Sequence, residues 1–266
     1  MRDSSNPDFI EALARGLDVI RALGSGARAQ SLSELSTIVG LSRPTTRRIL
    51  ITLTELGYVR ANENLFTLAP QVLELGMSYI SAGNIWELSR PHLIELARDV
   101  DQSCSIAQLD GSDAVYVSRV ALPKLVTLTV TVGTRFPAYA TSLGKVLLAA
   151  LTPAELEQTL AINSRSDVVP SWRPTPDELA AELRGVRARG YALTDQQLAP
   201  GILSIAAPIR DGNGSVVAAI NVNTHAFETT VGTLTETYLP RLLTAAAAIS
   251  ADWAAWASRP EKVSGS

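Results

Sequence analysis

The sequence predicts an α+β protein in two parts: an N-terminal winged helix-turn-helix, mostly α with a two-stranded wing, and a larger domain with an antiparallel sheet flanked by helices. Three observations carry this. Two short amphipathic segments meet at Gly40, and the second bears Arg43, Arg47 and Arg48. Two strand-like runs around a turn-forming centre follow directly. Beyond Asp101, β-rich runs alternate with helical ones. At 266 residues the chain exceeds the usual single-domain size and can bury a core without disulfides or metal.

Taken in order, Ile10, Leu13, Leu17, Ile20 and Leu23 recur at steps of three and four and mark one helix face, stopped by Gly24-Ser25-Gly26. Ser31 caps a second helix, Glu34 completes a capping box, and Leu32, Leu35 and Ile38 form its buried stripe. Gly40 ends it, since glycine takes the left-handed conformation past a helix terminus at little steric cost. The third helix starts at the cap Ser42 with Pro44 in its first turn and buries Ile49, Leu50, Leu53 and Leu56, and Gly57 closes it. Tyr58 to Arg60 and Leu65 to Leu68 flank Ala61-Asn62-Glu63-Asn64 as the wing. Pro70 opens a connector helix through Val72, Leu73, Leu75 and Ile80, and a further helix spans about Asn84 to Val100.

In the second part, Ser105 to Leu109, Ala114 to Val120 and Leu125 to Val132 read as strands, Ser142 to Leu151 as an apolar helix, and Pro176 to Arg189 as an amphipathic one. Ile202 to Ile209 and Val216 to Val222 form a hairpin across Asp211-Gly212-Asn213-Gly214, and an Ala-rich helix covers roughly Thr230 to Ala257. The expected domains are 8–69 (helix-turn-helix about 32–56), a linker helix 70–83, a second domain 84–257, and a disordered tail 258–266.

A formal charge of -3 and a pI near 5.5 argue against non-specific coating of nucleic acid, so any DNA contact must be local. Met1 to Ile80 hold eight Arg, no Lys and eight acidic residues. Arg suits forked contacts to phosphates and guanine edges better than Lys does. The lone Cys104 excludes a disulfide framework and points to a reducing cytosol. No run of about 18 apolar residues occurs, and Met1 to Leu13 lacks the layout of a secretion signal, so a cytoplasmic protein without membrane contact is expected.

A helix in the major groove must present polar side chains opposite its buried stripe. Arg43, Thr45, Thr46 and Arg47 are the candidates for bases or nearby phosphates and Arg48 for the backbone, with Ser42 and, on the wing, Arg60 completing the DNA-contacting set. Three Arg on an isolated helix would read as a solvated face; the capped helix before and the wing after favour DNA.

The segments 13–20, 40–48 and 56–59 resemble the N-terminal domain of the IclR (isocitrate lyase regulator) family of bacterial transcription factors. The runs 133–145 and 200–209 resemble its second domain, so the likeness covers about Asp8 to Trp256. Pro7-Asp8-Phe9 and Tyr139-Ala140-Thr141-Ser142 are most similar to regulators of aromatic-acid catabolism through the β-ketoadipate pathway. The resemblance implies a GAF-like, profilin-like sensor domain for a small organic acid, aromatic or dicarboxylic, and a homodimer on double-stranded operator DNA, with a dimer of dimers as a further assembly. The mechanism expected is that an acid closing the pocket shifts the connector near Val72 to Ile80 and changes the separation of the recognition helices. The resemblance places the acid on the amides of Ser142 and Leu143, where a helix N-terminus offers free donors and a positive dipole end. Asp195, Ser204, Asn221 and Asn223 match or lie beside its other polar positions, and Leu125, Leu128, Phe136 and Ile202 match its apolar wall. Thr194 stands where the family's short-chain-acid sensors are acidic, and Asn221 and Asn223 where they carry serines. Structural hydrogen bonding by the two Asn is the equal alternative. Arg135 is a candidate counter-ion or an exposed loop residue, and Tyr139 a further candidate contact.

No catalytic residue, cofactor or metal is expected. The enzyme alternative is Ser142-Leu143-Gly144-Lys145, an S-x-x-K pattern without the accompanying S-D-N or K-T-G. Cys104 with His92 or His225 makes a poor thiol site and a poor metal site. A ligand-free assembly module is the third reading.

Overall fold

The computed structural model describes residues 7–25, 28–82, 85–122 and 130–258. Residues 1–83 and 84–266 form two compact units. Residues 125–129 of the strand expected over 125–132, with the wall residues Leu125 and Leu128, and all of the expected tail past Ser258 lie outside the described residues, while its end, 130–132, is not a strand and runs into a turn at Val132 and Gly133.

In the first unit, α1 (Glu11–Ser25), α2 (Leu32–Val39) and α3 (Arg43–Glu55) enclose a small core of Val19, Ala22, Leu23, Leu35, Leu50, Leu53 and Val59. Ser31 accepts from the Glu34 amide while the Glu34 carboxylate accepts from the Ser31 amide, 2.7 Å, so the capping box satisfies α2 at its start. Gly40, at φ 66°, ends α2 in the left-handed conformation. Strands β2 (Val59–Asn62) and β3 (Leu65–Leu68) make the wing, and β1 (Gln30–Ser31) pairs with β3 as a third strand that two residues were too short to announce. Helix α4 (Val72–Ala82) is the last element of the first unit.

The apolar stripe of α1 is wider than the core it serves. Ile10, Leu13 and Leu17 are exposed, and so are Ile38 on α2 and Leu56 beyond α3, the last two expected to be buried. A domain this small buries a smaller fraction of its surface than a large one. The rest of the stripe faces outward.

In the second unit, β4 (Ser103–Asp110), β5 (Asp113–Val120), β6 (Arg135–Pro137), β7 (Ala192–Asp195), β8 (Ile202–Arg210) and β9 (Val216–His225) form one antiparallel sheet in the order β6-β5-β4-β9-β8-β7. Helices α5 (Ile85–Val100) and α10 (Leu239–Ala257) pack against one face of it, with α9 (Val231–Thr233) and a π-helical stretch, Leu234–Tyr238, leading into α10. The other face carries Ala107, Ala114, Tyr116, Phe136, Ala192, Ala206 and Ala219, and α6 (Ser142–Ala149) lies on it. Small residues at strand centres let α6 approach the sheet, and every residue of α6 is buried. Gly144 is obligatory there: a Cβ would lie 2.2 Å from the Ala138 carbonyl oxygen. Helices α7 (Pro153–Ala161) and α8 (Pro176–Arg189) each open on a capping box, Thr152 with Glu155 and Thr175 with Glu178. Helix α7 carries the same signature as α8 but its apolar stripe buries nothing fully, so periodicity alone did not announce it.

Candidate functional site

Helix α3 sorts its side chains by period. Thr46, Leu50 and Leu53, at steps of four and three, are buried, with the Thr46 hydroxyl donating to the Ser42 carbonyl, 3.1 Å. Thr46 therefore belongs to the domain core and not to the DNA-facing set, a correction to the sequence expectation. Its hydroxyl satisfies itself locally, which lets a polar residue occupy a core position. Arg43, Arg47 and Arg48 are exposed, and none pairs with a carboxylate among the described residues. Ser42 caps the helix and its hydroxyl lies 2.9 Å from that of half-buried Thr45, so these two spend part of their bonding on each other. Arg60 is exposed on β2 opposite Thr67. The outcome is a stiff, capped helix presenting three unneutralised guanidinium groups.

A second polar cluster lies on the sheet face under the start of α6. The Ser142 hydroxyl sits 2.7 Å from that of Ser204 on β8; Asn221 Nδ2 donates to Ser204 Oγ, 2.9 Å; and Asn221 Oδ1 accepts from the Ser105 amide, 3.1 Å. Arg119 on β5 donates from Nη1 to Ser105 Oγ, 3.0 Å. Ser142, Ser204, Asn221 and Ser105 are all at most 5 % exposed. The cluster thus runs across four strands as one hydrogen-bonded track in an otherwise apolar layer. Thr141 caps α6 by accepting from the Gly144 amide, 2.9 Å, which leaves the first-turn amides of Ser142 and Leu143 without an intrahelical acceptor.

The structure brings Ser142, Leu143, Ser204, Asn221, Asn223 and Ile202 to this face, with Asn223 half-buried beside Ser103 and Ser204. Phe136 shares it but is packed edge-on against Tyr116 in the apolar half, ring centroids 5.5 Å apart. Asp195 does not join them. It pairs with Leu203 on the opposite pleat and is exposed, while its neighbour Thr194 pairs with Ser204 and is buried on the track side. A one-residue step in a strand reverses the face. Arg135 is likewise engaged elsewhere, paired with Asp110 and lying 3.7 Å from Asp113. Tyr139 packs on Trp172, centroids 6.4 Å apart.

Arg119, Ser105 and Thr194 were missed as candidates. A single Arg inside the apolar run Ala114 to Val120 was the available signal for the first.

Lys145 is fully buried, its ammonium bonded to Gln197 at 2.6 Å and Glu182 at 3.2 Å and lying 4.4 Å from the Trp172 ring centre. Burial pushes this ammonium below its ordinary range, and the Glu182 carboxylate opposes that shift. The Glu182 carboxyl, which burial acts to raise, is held below the usual range by Lys145 and Arg189. Ser142 bonds Ser204 and Lys145 bonds Glu182 and Gln197, so the S-x-x-K pattern does not form a nucleophile–base pair here. Burial raises the Cys104 thiol far above its ordinary range, and no group of three metal-binding side chains occurs among the described residues.

Two family profiles match: the IclR helix-turn-helix domain over residues 12–63 and the bacterial transcriptional regulator IclR C-terminal domain over residues 77–251. The chain belongs to the IclR family. This IclR-family chain is 37 % identical over 246 residues to the Pca regulon regulatory protein of Pseudomonas putida, spanning 91 % of this chain and 84 % of that one. It is 31 % identical over 219 residues to the p-hydroxybenzoate hydroxylase transcriptional activator of Acinetobacter baylyi, spanning 80 % and 81 %. A transcriptional-regulator structure from Rhodococcus sp. RHA1 superposes with a TM-score of 0.80 at 42 % identity, covering 93 % of this chain and all of the other. The two-part fold, helix-turn-helix plus curled antiparallel sheet with helices, is that of the family, whose members are transcriptional regulators.

Proposed function

We propose that this IclR-family regulator controls catabolic genes for aromatic acids, its second domain binding a small organic acid that alters operator affinity. The observation that carries the sensor half of this reading is the buried track from Ser142 to Arg119. Five polar side chains and a helix N-terminus converge in an apolar layer, an arrangement suited to orienting one anionic ligand. The Pca regulon regulator and the p-hydroxybenzoate hydroxylase activator favour the aromatic-acid branch.

On DNA, Arg43 and Arg47 read bases or nearby phosphates, while Arg48 and, on the wing, Arg60 hold the backbone. The protein acts as a homodimer. Leu13, Leu17, Leu56 and Leu75 line an apolar groove of about 660 Å³ in the first unit, formed by α1, α3 and α4, and such a surface favours self-association over exposure. Two recognition helices then address half-sites about 34 Å apart. The ligand acts by favouring one arrangement of the dimer, which requires different affinities for the two arrangements. Catalysis is no part of the reading, because Lys145 is committed to Glu182 and Gln197.

The test is thermal unfolding of the full chain with 4-hydroxybenzoate, protocatechuate, β-ketoadipate and adipate, alongside operator binding by fluorescence anisotropy. A ligand at 100 times its Kd raises stability by about 2.7 kcal/mol. Absence of any shift across the four acids would reject the sensor; absence of preference for a genomic operator over scrambled competitor would reject the regulator.

A further inference from the structure

The sheet of the second unit opens at one end, and the cause is local. The β4–β9 ladder stops at Ala107 and Ala219, short of the end of β4 and the start of β9. Past it, Gln108 reaches the Val217 carbonyl through its side-chain amide, 3.1 Å, and β9 bulges at Val217, because β8 pairs Ile209 with Ala218 and then Arg210 with Val216. A bulge bends its strand and re-aims the side chains beside it. Helix α6 ends at Ala149 over this point, and a cleft of about 750 Å³ remains between α6, α8 and the β8–β9 hairpin. Small-molecule sites ordinarily occupy about 300–1,000 Å³.

The floor of the cleft is apolar, made by Leu109, Val146, Leu147, Val186 and Val216, and its rim carries Arg187 and Arg210. Arg187 donates from Nε to the Ala149 carbonyl, 2.6 Å, and from Nη2 to the Leu151 carbonyl, 2.9 Å, while Arg210 donates from Nη1 to the Gly214 carbonyl, 2.8 Å. Neither pairs with a carboxylate among the described residues. Glu155, the acidic residue lining the cleft, spends its carboxylate on the Thr152 amide and hydroxyl, 2.8 and 2.7 Å. Main-chain carbonyls orient both guanidinium groups but supply only partial negative charge, about half a unit at a helix C-terminus. Two cations are thus held in place at the edge of an apolar hollow without an anion to match them. A donor fork already fixed loses little entropy when an acid binds it.

We infer that this cleft is a second ligand site of the unit, one that takes an amphipathic organic anion, with a carboxylate or phosphate head on Arg187 and Arg210 and a hydrocarbon body on the apolar floor. No residue of the polar track lines it, so the inference stands apart from the acid-sensor reading. The two sites lie toward opposite ends of α6. Along β9, Asn221 and Val216 are separated by about 17 Å of extended strand. Because α6 is buried along its whole length, a ligand in the cleft bears on the same helix that the proposed effector meets.

The probes are 8-anilinonaphthalene-1-sulfonate and N-phenyl-1-naphthylamine, the same ring system without the sulfonate, titrated into the full-length protein and followed by fluorescence. The wild type is expected to bind the sulfonate at least fivefold more tightly than the neutral probe at low salt, and Arg210→Gln to lose that preference. A general loosening of the cleft would weaken both probes alike. Equal affinities in the wild type, or a preference that survives in Arg210→Gln, overturn the inference. Should that variant not fold, Ser215→Glu decides, since this exposed residue lines the cleft and would set a like charge against the sulfonate. A loss of threefold or more supports the site, and a smaller one overturns it. Displacement of the sulfonate by hexanoate, by hexyl phosphate or by both assigns the head group of the ligand, and displacement by neither overturns the inference. These outcomes do not depend on whether any acid of the sensor test stabilises the protein, so the two readings fail separately.

Discussion

Neighbouring residues on α3 separate two jobs, since Thr46 fills the core and Arg47 points away from it. Arg47→Ala is expected to weaken operator binding by about 1–3 kcal/mol relative to scrambled DNA if the guanidinium pairs with a base. A uniform loss on all sequences with a shallower salt dependence would assign it to phosphate instead. Thr46→Val is expected to change operator preference by less than about 0.5 kcal/mol, because its hydroxyl faces the Ser42 carbonyl. Anisotropy titrations at two salt concentrations measure both. In the second unit, Asn221→Leu removes the donor to Ser204 and the acceptor for the Ser105 amide. The effector response should disappear while operator affinity in the absence of ligand stays within twofold. Unchanged ligand affinity by calorimetry would count against the site.

At the scale of elements, helix starts are set by local chemistry and have a pH signature. The Glu34, Glu155 and Glu178 carboxylates each accept from a cap amide and a cap hydroxyl, and these bonds hold each carboxyl below the usual Glu range. A depressed carboxyl contributes stability that is present above the unfolded-state value near 4.3 and lost as pH falls through the lower folded-state value. Chemical denaturation should therefore show stability dropping below about pH 4.5, and Glu178→Gln should flatten part of that drop. An unchanged pH profile in the variant would remove the capping box from the account. The Ser31–Glu34 box was legible because its signature spans four consecutive residues, and the boxes at Thr152 and Thr175 carry the same signature though the sequence reading did not use it. Strands β6 and β7, three and four residues long, were not, since their identity comes from the partner strands that complete their ladders.

For the whole molecule, the exposed Leu13 and Leu17 are the measure of an unfinished surface. Leu17→Glu is expected to shift the protein from dimer to monomer in sedimentation velocity and to reduce operator affinity at least tenfold, because one half-site contact cannot replace two. A variant that remains dimeric with full operator affinity would place the self-association surface elsewhere. The same side chains make the apolar stripe of α1 wider than the core it serves. Periodicity reports which face avoids water, and it does not say whether a neighbour in the same chain or in another covers it.

The sequence by itself determined the two-part architecture, the capped helix with its arginines, the hairpin at Asp211 to Gly214 and the glycine-bearing start of α6, because each is written in residues close together along the chain. Tertiary structure alone decided that Thr46 turns inward, that Thr194 rather than Asp195 faces the polar track, and that Arg119 meets Ser105 and through it Asn221 and Ser204. Those outcomes depend on strand register and on which face a helix buries. Both are fixed by packing between segments more than a hundred residues apart, where a shift of one position exchanges a side chain on the polar track for its neighbour.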